Sequence, residues 1–151
     1  MRDLAELNIV NGGRPDRKPP TELQIKEFEA AFGVKLPDDY ISLLKFKNGG
    51  CPTLRAFKPK ELKDYWTLEY YCYLADRSDH IEGLWAWTKA WRQALSQRIV
   101  AIGDDGGGIA IVLVFVDNNH SVKLCLDDFR LLDVADSLGE FIDMLTTLPV
   151  G

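Results

Sequence analysis

The stretch from Gly33 to Tyr40 restricts the fold of this chain most, because it reads Gly-Val-Lys-Leu-Pro-Asp-Asp-Tyr between two apolar, helix-like segments. Glycine readily adopts the left-handed conformation in which many helices end, so Gly33 is predicted to follow the last turn of a helix. Pro37 cannot continue a helix but suits the start of the next one, and Asp38 with Asp39 would complement the positive end of its dipole. The stretch therefore predicts a helix–turn–helix corner that contains no chemistry of its own.

Capping patterns predict one helix near the start of the sequence and another near its end. Thr21 and Gln24 have the spacing of a capping box, and Ser137 with Glu140 repeats it near the end of the chain. Apolar residues recur at helical spacing after both caps. A second helix is predicted from about 38 to 47, ended by the Asn-Gly-Gly of 48–50, and the last helix is predicted to bury a stripe that reaches Leu148.

Apolar runs bounded by turn residues predict the strands. These runs are 51–57, 68–74, 99–102, 109–116 and 122–126. The run 109–116 is apolar throughout, which is typical of a central strand covered on both faces. Hairpin-linked strands flanked by helices predict an α+β fold, with a mostly antiparallel sheet packed with helices. One domain is expected over residues 1–151, with an N-terminal segment and linker at 1–20 and a core at 21–148.

A tryptophan-rich helix is predicted to begin near Asp79, which has capping-box spacing with Glu82. Its buried face would contain Ile81, Leu84, Trp87, Trp91 and Leu95. Trp85 falls about a quarter turn or more outside that face, so we expect its side chain to be exposed. Because tryptophan is enriched at interaction hot spots, Trp85 is a candidate for partner binding; a tryptophan packed under a loop is the alternative.

The chain is acidic, since 18 Lys and Arg residues against 23 Asp and Glu residues give a formal charge of −5. Such a chain gains nothing from neutralising phosphates, so nucleic-acid binding is disfavoured. No apolar run is long enough to span a membrane, and the N-terminus lacks the pattern of a signal peptide. Cys51, Cys72 and Cys125 cannot all pair internally and have no CxxC spacing, so we expect reduced thiols and a cytoplasmic protein.

The Gly-Asp-Asp-Gly-Gly-Gly run at 103–108 is the motif that most invites a chemical interpretation. A phosphate-binding loop would need a lysine and a following helix, whereas a strand is predicted here. The spacing of a calcium-binding loop is also missing, so Asp104 and Asp105 are expected to be exposed turn carboxylates. His80 and His120 have no zinc-binding pattern around them, and no cysteine has the surroundings of a catalytic nucleophile. We therefore predict no catalytic residue, metal or cofactor.

Three blocks of the sequence resemble the SUKH superfamily. They are the capped helix, corner and Asn-Gly-Gly of 21–50, the segment 99–108, and the helix 137–148. Together they span roughly residues 20 to 148. The superfamily includes the Smi/Knr-type proteins of fungi and many immunity proteins of bacterial toxin systems. The resemblance implies a non-enzymatic protein that binds another protein.

Immunity is the commonest bacterial role in the superfamily, so the resemblance implies direct capture of a cognate toxin domain, often a nuclease. Negative charge would steer such a chain towards a basic nuclease domain. A regulatory or scaffolding domain of Smi/Knr type is one alternative, and an enzyme acting on a small ligand through Asp104 and Asp105 is another. Candidate partner-binding residues are Trp85, Asp104, Asp105, Asp76 and Asp79.

Overall fold

This computed structural model describes residues 1–95 and 97–148, in which two α-helices and five two-residue strands are followed by a third helix, four longer strands and a last helix. The helical segments are a 3₁₀ turn at Leu4–Leu7, α1 (Glu22–Phe32), α2 (Asp38–Phe46), α3 (Leu84–Leu95) and α4 (Leu138–Met144). The strands are β1 (Ile9–Val10), β2 (Cys51–Pro52), β3 (Ala56–Phe57), β4 (Trp66–Thr67), β5 (Tyr70–Tyr71), β6 (Ile99–Asp104), β7 (Ala110–Val116), β8 (Asn119–Cys125) and β9 (Leu131–Ala135). The described residues form a single α+β domain, as predicted, while 96 and 149–151 of the expected domain lie outside them.

A five-stranded antiparallel sheet with the order β5-β6-β7-β8-β9 forms the centre of the fold. Strand β7 is the middle strand, and every residue of it except Val116 is buried, which confirms the interpretation of its apolar run. Two further pairs, β1 with β2 and β3 with β4, are antiparallel and only two residues long.

Helices cover both faces of this sheet. Val100 and Ile102 of β6 pack into one apolar cluster with α1, α2 and α4, whereas Ile99 and Ala101 pack into a second cluster with Trp91 of α3. Because successive side chains of a strand point to opposite faces, the two clusters lie on opposite sides of the sheet. None of the helices in the described ranges is long and apolar enough to cross a membrane.

The corner between α1 and α2 has the predicted local chemistry. The Thr21 side chain accepts a hydrogen bond from the Gln24 amide, and the Gln24 side chain accepts one from the Thr21 amide, which completes the capping box. Gly33 ends α1 in the left-handed conformation, with φ 65°. The Glu29 carboxylate then accepts a hydrogen bond of 2.7 Å from the Leu36 amide, which closes the turn before α2.

Asn48 connects the end of α2 to the edge of the central sheet. Its side chain is 5% exposed and pairs with Leu74 in both directions, accepting from the amide at 2.7 Å and donating to the carbonyl at 2.7 Å. The same amide group donates to the Lys18 carbonyl at 2.8 Å. A single buried side chain therefore satisfies three backbone groups from two distant segments.

The Gly- and Pro-rich segment 11–20 has no helix or strand, as predicted, but side chains fasten it to the domain. Arg17 stacks on the Tyr73 ring, with the guanidinium carbon 3.4 Å from the ring centroid. Asp16 forms an ion pair of 3.0 Å with Lys47. We call residues 11–20 the strap, because these contacts hold it against α2 and the segment after β5.

The prediction that a helix begins near Asp79 is wrong, because α3 begins at Leu84. The Glu82 carbonyl accepts a hydrogen bond from the Tyr73 amide at 3.3 Å, and the Leu84 amide donates to the Tyr73 carbonyl at 2.8 Å. Because of these hydrogen bonds, the backbone just before Leu84 makes strand-like contacts with Tyr73 and is not part of the helix. Ile81, predicted on the buried face, is 65% exposed as a result.

The last helix is also shorter than predicted and ends at Met144. Thr146 instead pairs with Ala56 through two backbone hydrogen bonds, of 2.8 and 2.9 Å, which draws the chain into extended geometry. Leu148 is therefore 51% exposed rather than part of the buried stripe. Strand β9 was not predicted, and the run 51–57 forms two separate short strands, β2 and β3.

Candidate functional site

The Gly-rich turn between β6 and β7 is held by its own two carboxylates. The Asp104 side chain accepts a hydrogen bond of 2.6 Å from the Gly106 amide. Asp105 accepts from the Gly107 and Ile109 amides at 2.7 and 3.0 Å through one oxygen, and from the Trp66 indole at 3.0 Å through the other. Short polar side chains commonly stabilise tight turns in this way.

The prediction that Asp104 is exposed is wrong. Its residue is only 4% exposed, because Asp104 ends the buried strand β6 rather than standing in the turn itself. Burial raises the pKa of this carboxyl group, and the hydrogen bond from the Gly106 amide opposes that effect. Asp105 is half-buried, so its charge lies closer to solvent.

Both carboxylates border an open surface concavity of about 670 Å³, which we call the acidic depression. Its lining consists of Arg14, Glu69, Tyr70, Ile81, Glu82, Trp87, Asp104, Asp105, Gly106 and Gly108. Four carboxylates and one guanidinium give this lining a formal charge of −3. Ile81 adds a large exposed apolar side chain to the same surface. The depression thus combines negative charge, aromatic rings and one exposed aliphatic residue.

Arg14 of the strap lies in the depression, although no sequence pattern predicts this position for it. Its Nε and Nη2 atoms each lie 2.9 Å from an oxygen of Glu82, and its guanidinium carbon lies 4.6 Å from the Tyr70 ring centroid. The hydrogen bond to Glu82 raises the pKa of Arg14. The segment 11–20 had suggested only an irregular connection, and nothing in its composition indicates that one arginine reaches residue 82.

The prediction that Trp85 is exposed is also wrong, because the residue is 9% exposed and belongs to the main core. Its ring packs against Phe28 and Phe32 of α1, each at 5.4 Å between centroids. Trp85 also lines a smaller concavity of about 170 Å³, the α1–α3 recess. Its lining comprises Ala31, Phe32, Arg77, Ser78, Asp79, Trp85, Ala86 and Lys89.

The five candidate residues do not converge on one point. Asp104 and Asp105 line the acidic depression, whereas Asp79 and Trp85 line the α1–α3 recess, and the two concavities share no lining residue. Asp76 is exposed and accepts a hydrogen bond of 3.2 Å from the Gln24 side chain. Asp79 precedes Glu82 by three positions, so their Cα atoms are at most about 11 Å apart. The segment 76–82 therefore runs between the two concavities.

The cysteines and histidines contribute to packing and to backbone hydrogen bonding. Cys72 and Cys125 are buried and Cys51 is partly buried, all as free thiols. Burial raises the pKa values of all three. His120 accepts a hydrogen bond of 3.0 Å from the Leu138 amide at the start of α4, and burial lowers its pKa. Within residues 1–95 and 97–148, no group of three or more acidic, histidine or cysteine side chains is arranged to hold a metal ion.

Comparison with known proteins identifies the family. No curated protein matches the chain. The sequence model of the SMI1 / KNR4 family (SUKH-1) matches residues 19–144, which include α1 to α4 and the whole central sheet. The matched region contains every lining residue of the acidic depression except Arg14. Because the match extends over most of the sequence, the chain belongs to the SMI1/KNR4 (SUKH-1) family.

Proposed function

We propose that this chain is a non-enzymatic immunity protein, which binds a cognate bacterial toxin domain and neutralises it in the cytoplasm of the producing cell. Membership of the family supports a role of this kind. The observation that carries the proposal is the open acidic depression beside the exposed side chain of Ile81. Mixed apolar and polar surfaces of this kind are typical of protein–protein contacts.

The geometry around Asp104 and Asp105 favours a protein partner over a small substrate. Small-molecule sites enclose most of the surface of their ligand, whereas the acidic depression is open to solvent. Asp105 already accepts three hydrogen bonds from its own chain, so it maintains the turn rather than standing free to exchange protons with a substrate. These features support capture of a protein surface.

Charge supports a basic partner, such as a nuclease domain. The chain has a formal charge of −5, and the depression contributes −3 over a small area. Attraction between opposite charges accelerates the encounter of two proteins. At physiological ionic strength, salt screens this attraction beyond about 8 Å. In this proposal, Asp104, Asp105, Asp76 and Asp79 contribute negative charge that attracts the partner. Trp85 contributes to the proposed interface as a lining residue of the α1–α3 recess.

The decisive experiment begins with a search for a large toxin gene immediately upstream of the gene for this chain, followed by co-expression of the two gene products. We expect the two proteins to co-purify, and expression of this chain to restore growth of cells that produce the toxin. A toxin that neither binds this chain nor loses its toxicity would overturn the proposal. Capture of a host regulatory protein in place of a toxin would instead support the scaffolding role.

Stopped-flow association at several salt concentrations tests the electrostatic part of the proposal. Reversing Asp104 and Asp105 to lysine would break the turn that these residues hold, so we choose Glu69→Lys, at a partly exposed position in the depression. We expect a lower on-rate and a weaker salt dependence than in the wild-type protein. Glu27→Lys, exposed on α1 and outside both concavities, is the control with the same change in net charge. Equal effects of the two reversals would remove the depression from the interface.

A further inference from the structure

The acidic depression already holds one guanidinium group, that of Arg14. Both nitrogen–oxygen distances to Glu82 are 2.9 Å, and the group lies over the Tyr70 ring. A carboxylate in bidentate contact and an aromatic face are the two elements that bind guanidinium groups in proteins. This internal contact shows that the walls of the depression suit the shape and charge of an arginine side chain.

Arg14 leaves most of the negative charge of the depression unbalanced. Its ion pair neutralises Glu82, and Arg55 lies 3.2 Å from Glu69 at the exposed rim. The hydrogen bonds that Asp104 and Asp105 accept come only from backbone amides and the Trp66 indole, which are neutral donors. Two carboxylate charges therefore remain without a cationic partner among the described residues.

A second aromatic side chain stands beside these two carboxylates. Trp87 is half-buried and lines the depression, and its indole N–H donates to the Gly103 carbonyl at 3.2 Å. The ring also packs against Trp91, nearly at a right angle, with 5.6 Å between the ring centroids. These contacts fix the ring in the wall of the depression. Tryptophan is the aromatic residue that attracts a cation most strongly.

We propose that the acidic depression receives an arginine side chain of the protein partner, against Trp87 and the unbalanced carboxylates; this inference rests on the proposed capture of a basic toxin. Arginine fits better than lysine because its planar group can stack on the indole while its charge lies close to the carboxylates of the depression. The occupant is a second guanidinium group, beside the one that Arg14 supplies.

The test is an NMR titration of the intact protein with three blocked tripeptides, Gly-Arg-Gly, Gly-Lys-Gly and Gly-citrulline-Gly. Citrulline keeps the shape of arginine but has no charge. We expect saturable shifts of the Trp87 indole resonance and of the Gly106 and Gly108 amides with the arginine peptide. The lysine peptide should bind more weakly, and the citrulline peptide should cause no localised shift.

A matched pair of variants locates the effect. Glu69→Gln removes one charge from the rim of the depression, and we expect it to weaken the arginine peptide about two- to fivefold. Glu22→Gln removes one charge and one surface ion pair at the start of α1, outside the depression, and should leave binding unchanged. Spectra of both variants should match the wild type away from the altered residue and its contacts, which for Glu69 include Gly106, because each change removes only a surface ion pair.

Three results would overturn the inference: shifts that are absent at Trp87, equal shifts with citrulline, or tighter binding of the lysine peptide. The outcome is separable from that of the proposed function. A toxin that co-purifies equally well with the wild-type protein and with Glu69→Gln and Trp87→Phe would leave the proposed function intact and exclude this site. Specific arginine binding without a toxin partner would leave the site intact and exclude the immunity role.

Discussion

Replacement of Asn48 is the most informative perturbation of the fold, because one side chain makes three buried hydrogen bonds. Asn48→Ala leaves the amide and carbonyl of Leu74 and the carbonyl of Lys18 without these partners. A buried hydrogen bond contributes about 1 kcal/mol, and a partner left unsatisfied costs at least that much. We therefore expect the free energy of unfolding to fall by about 3 kcal/mol.

Urea and thermal unfolding measure this change directly. With a slope of about 2 kcal/mol per molar urea, the midpoint should fall by about 1.5 M. The melting temperature should fall by about 6–12 °C for a chain of this size. Asn118→Ala, at an exposed position in the β7–β8 turn, is the matched control and should change stability by less than about 0.5 kcal/mol.

Asn48→Asp separates loss of hydrogen bonds from loss of volume. The aspartate keeps the size of the side chain and the acceptor for the Leu74 amide, but turns an oxygen towards the carbonyl groups of Leu74 and Lys18. It should cost at least as much as Asn48→Ala at neutral pH, and amide exchange at Leu74 should accelerate in both variants. A cost of less than about 1 kcal/mol for either variant would refute the argument that Asn48 fastens Leu74 and Lys18.

Three further predictions concern Gly33, Trp85 and Asp104. Gly33→Val should cost about 1–2 kcal/mol in urea unfolding from backbone strain alone, because φ is 65° and no atom lies within 4 Å of an added Cβ; an unchanged midpoint would contradict this. Trp85→Ala should cost about 3–5 kcal/mol in thermal unfolding because the ring packs on Phe28 and Phe32, whereas Trp85→Phe should retain most of that stability. The raised pKa of Asp104 means that the folded state binds the proton of this carboxyl group more tightly than the unfolded state does. The protonated group therefore adds stability below the ordinary pKa of an aspartate, and this stability is lost as pH rises through the raised pKa. Asp104→Asn should remove that part of the pH dependence of the melting temperature, and an unchanged profile would show that the carboxyl group is not perturbed.

Local signals in the sequence were enough to predict the elements whose ends are fixed by neighbouring residues. Thr21 and Gln24 cap α1 through contacts three residues apart, and Gly33 ends it through its own backbone conformation. The continuous apolar run of β7 likewise indicated its central place in the sheet. Each of these features depends on the residues of one short segment, so the sequence contains the information directly.

The features that were predicted wrongly depend on contacts between distant segments. The start of α3 is set by backbone pairing with Tyr73, about ten residues earlier, which no helical pattern reveals. A helical projection assumes one buried face, yet Trp85 is covered by α1 while Trp91 of the same helix faces the sheet. Arg14 reaches Glu82 from a segment whose composition indicates only a loop. The candidate site therefore needed the three-dimensional structure, although Asp104 and Asp105 could be singled out beforehand.

The turn between β6 and β7 is held by hydrogen bonds to its own side chains. The residues that keep this surface in shape are therefore different from the rim residues that would select a partner. Asp105 holds the Gly107 and Ile109 amides whatever occupies the depression, while Ile81 and Glu69 at the rim support no comparable part of the backbone. Rim residues can therefore diversify in a lineage that meets new partners, without rebuilding the frame that presents them. A saturation library sorted first for folding and then for binding should show this division: Asp105 would be restricted in the first sort, and Ile81 only in the second.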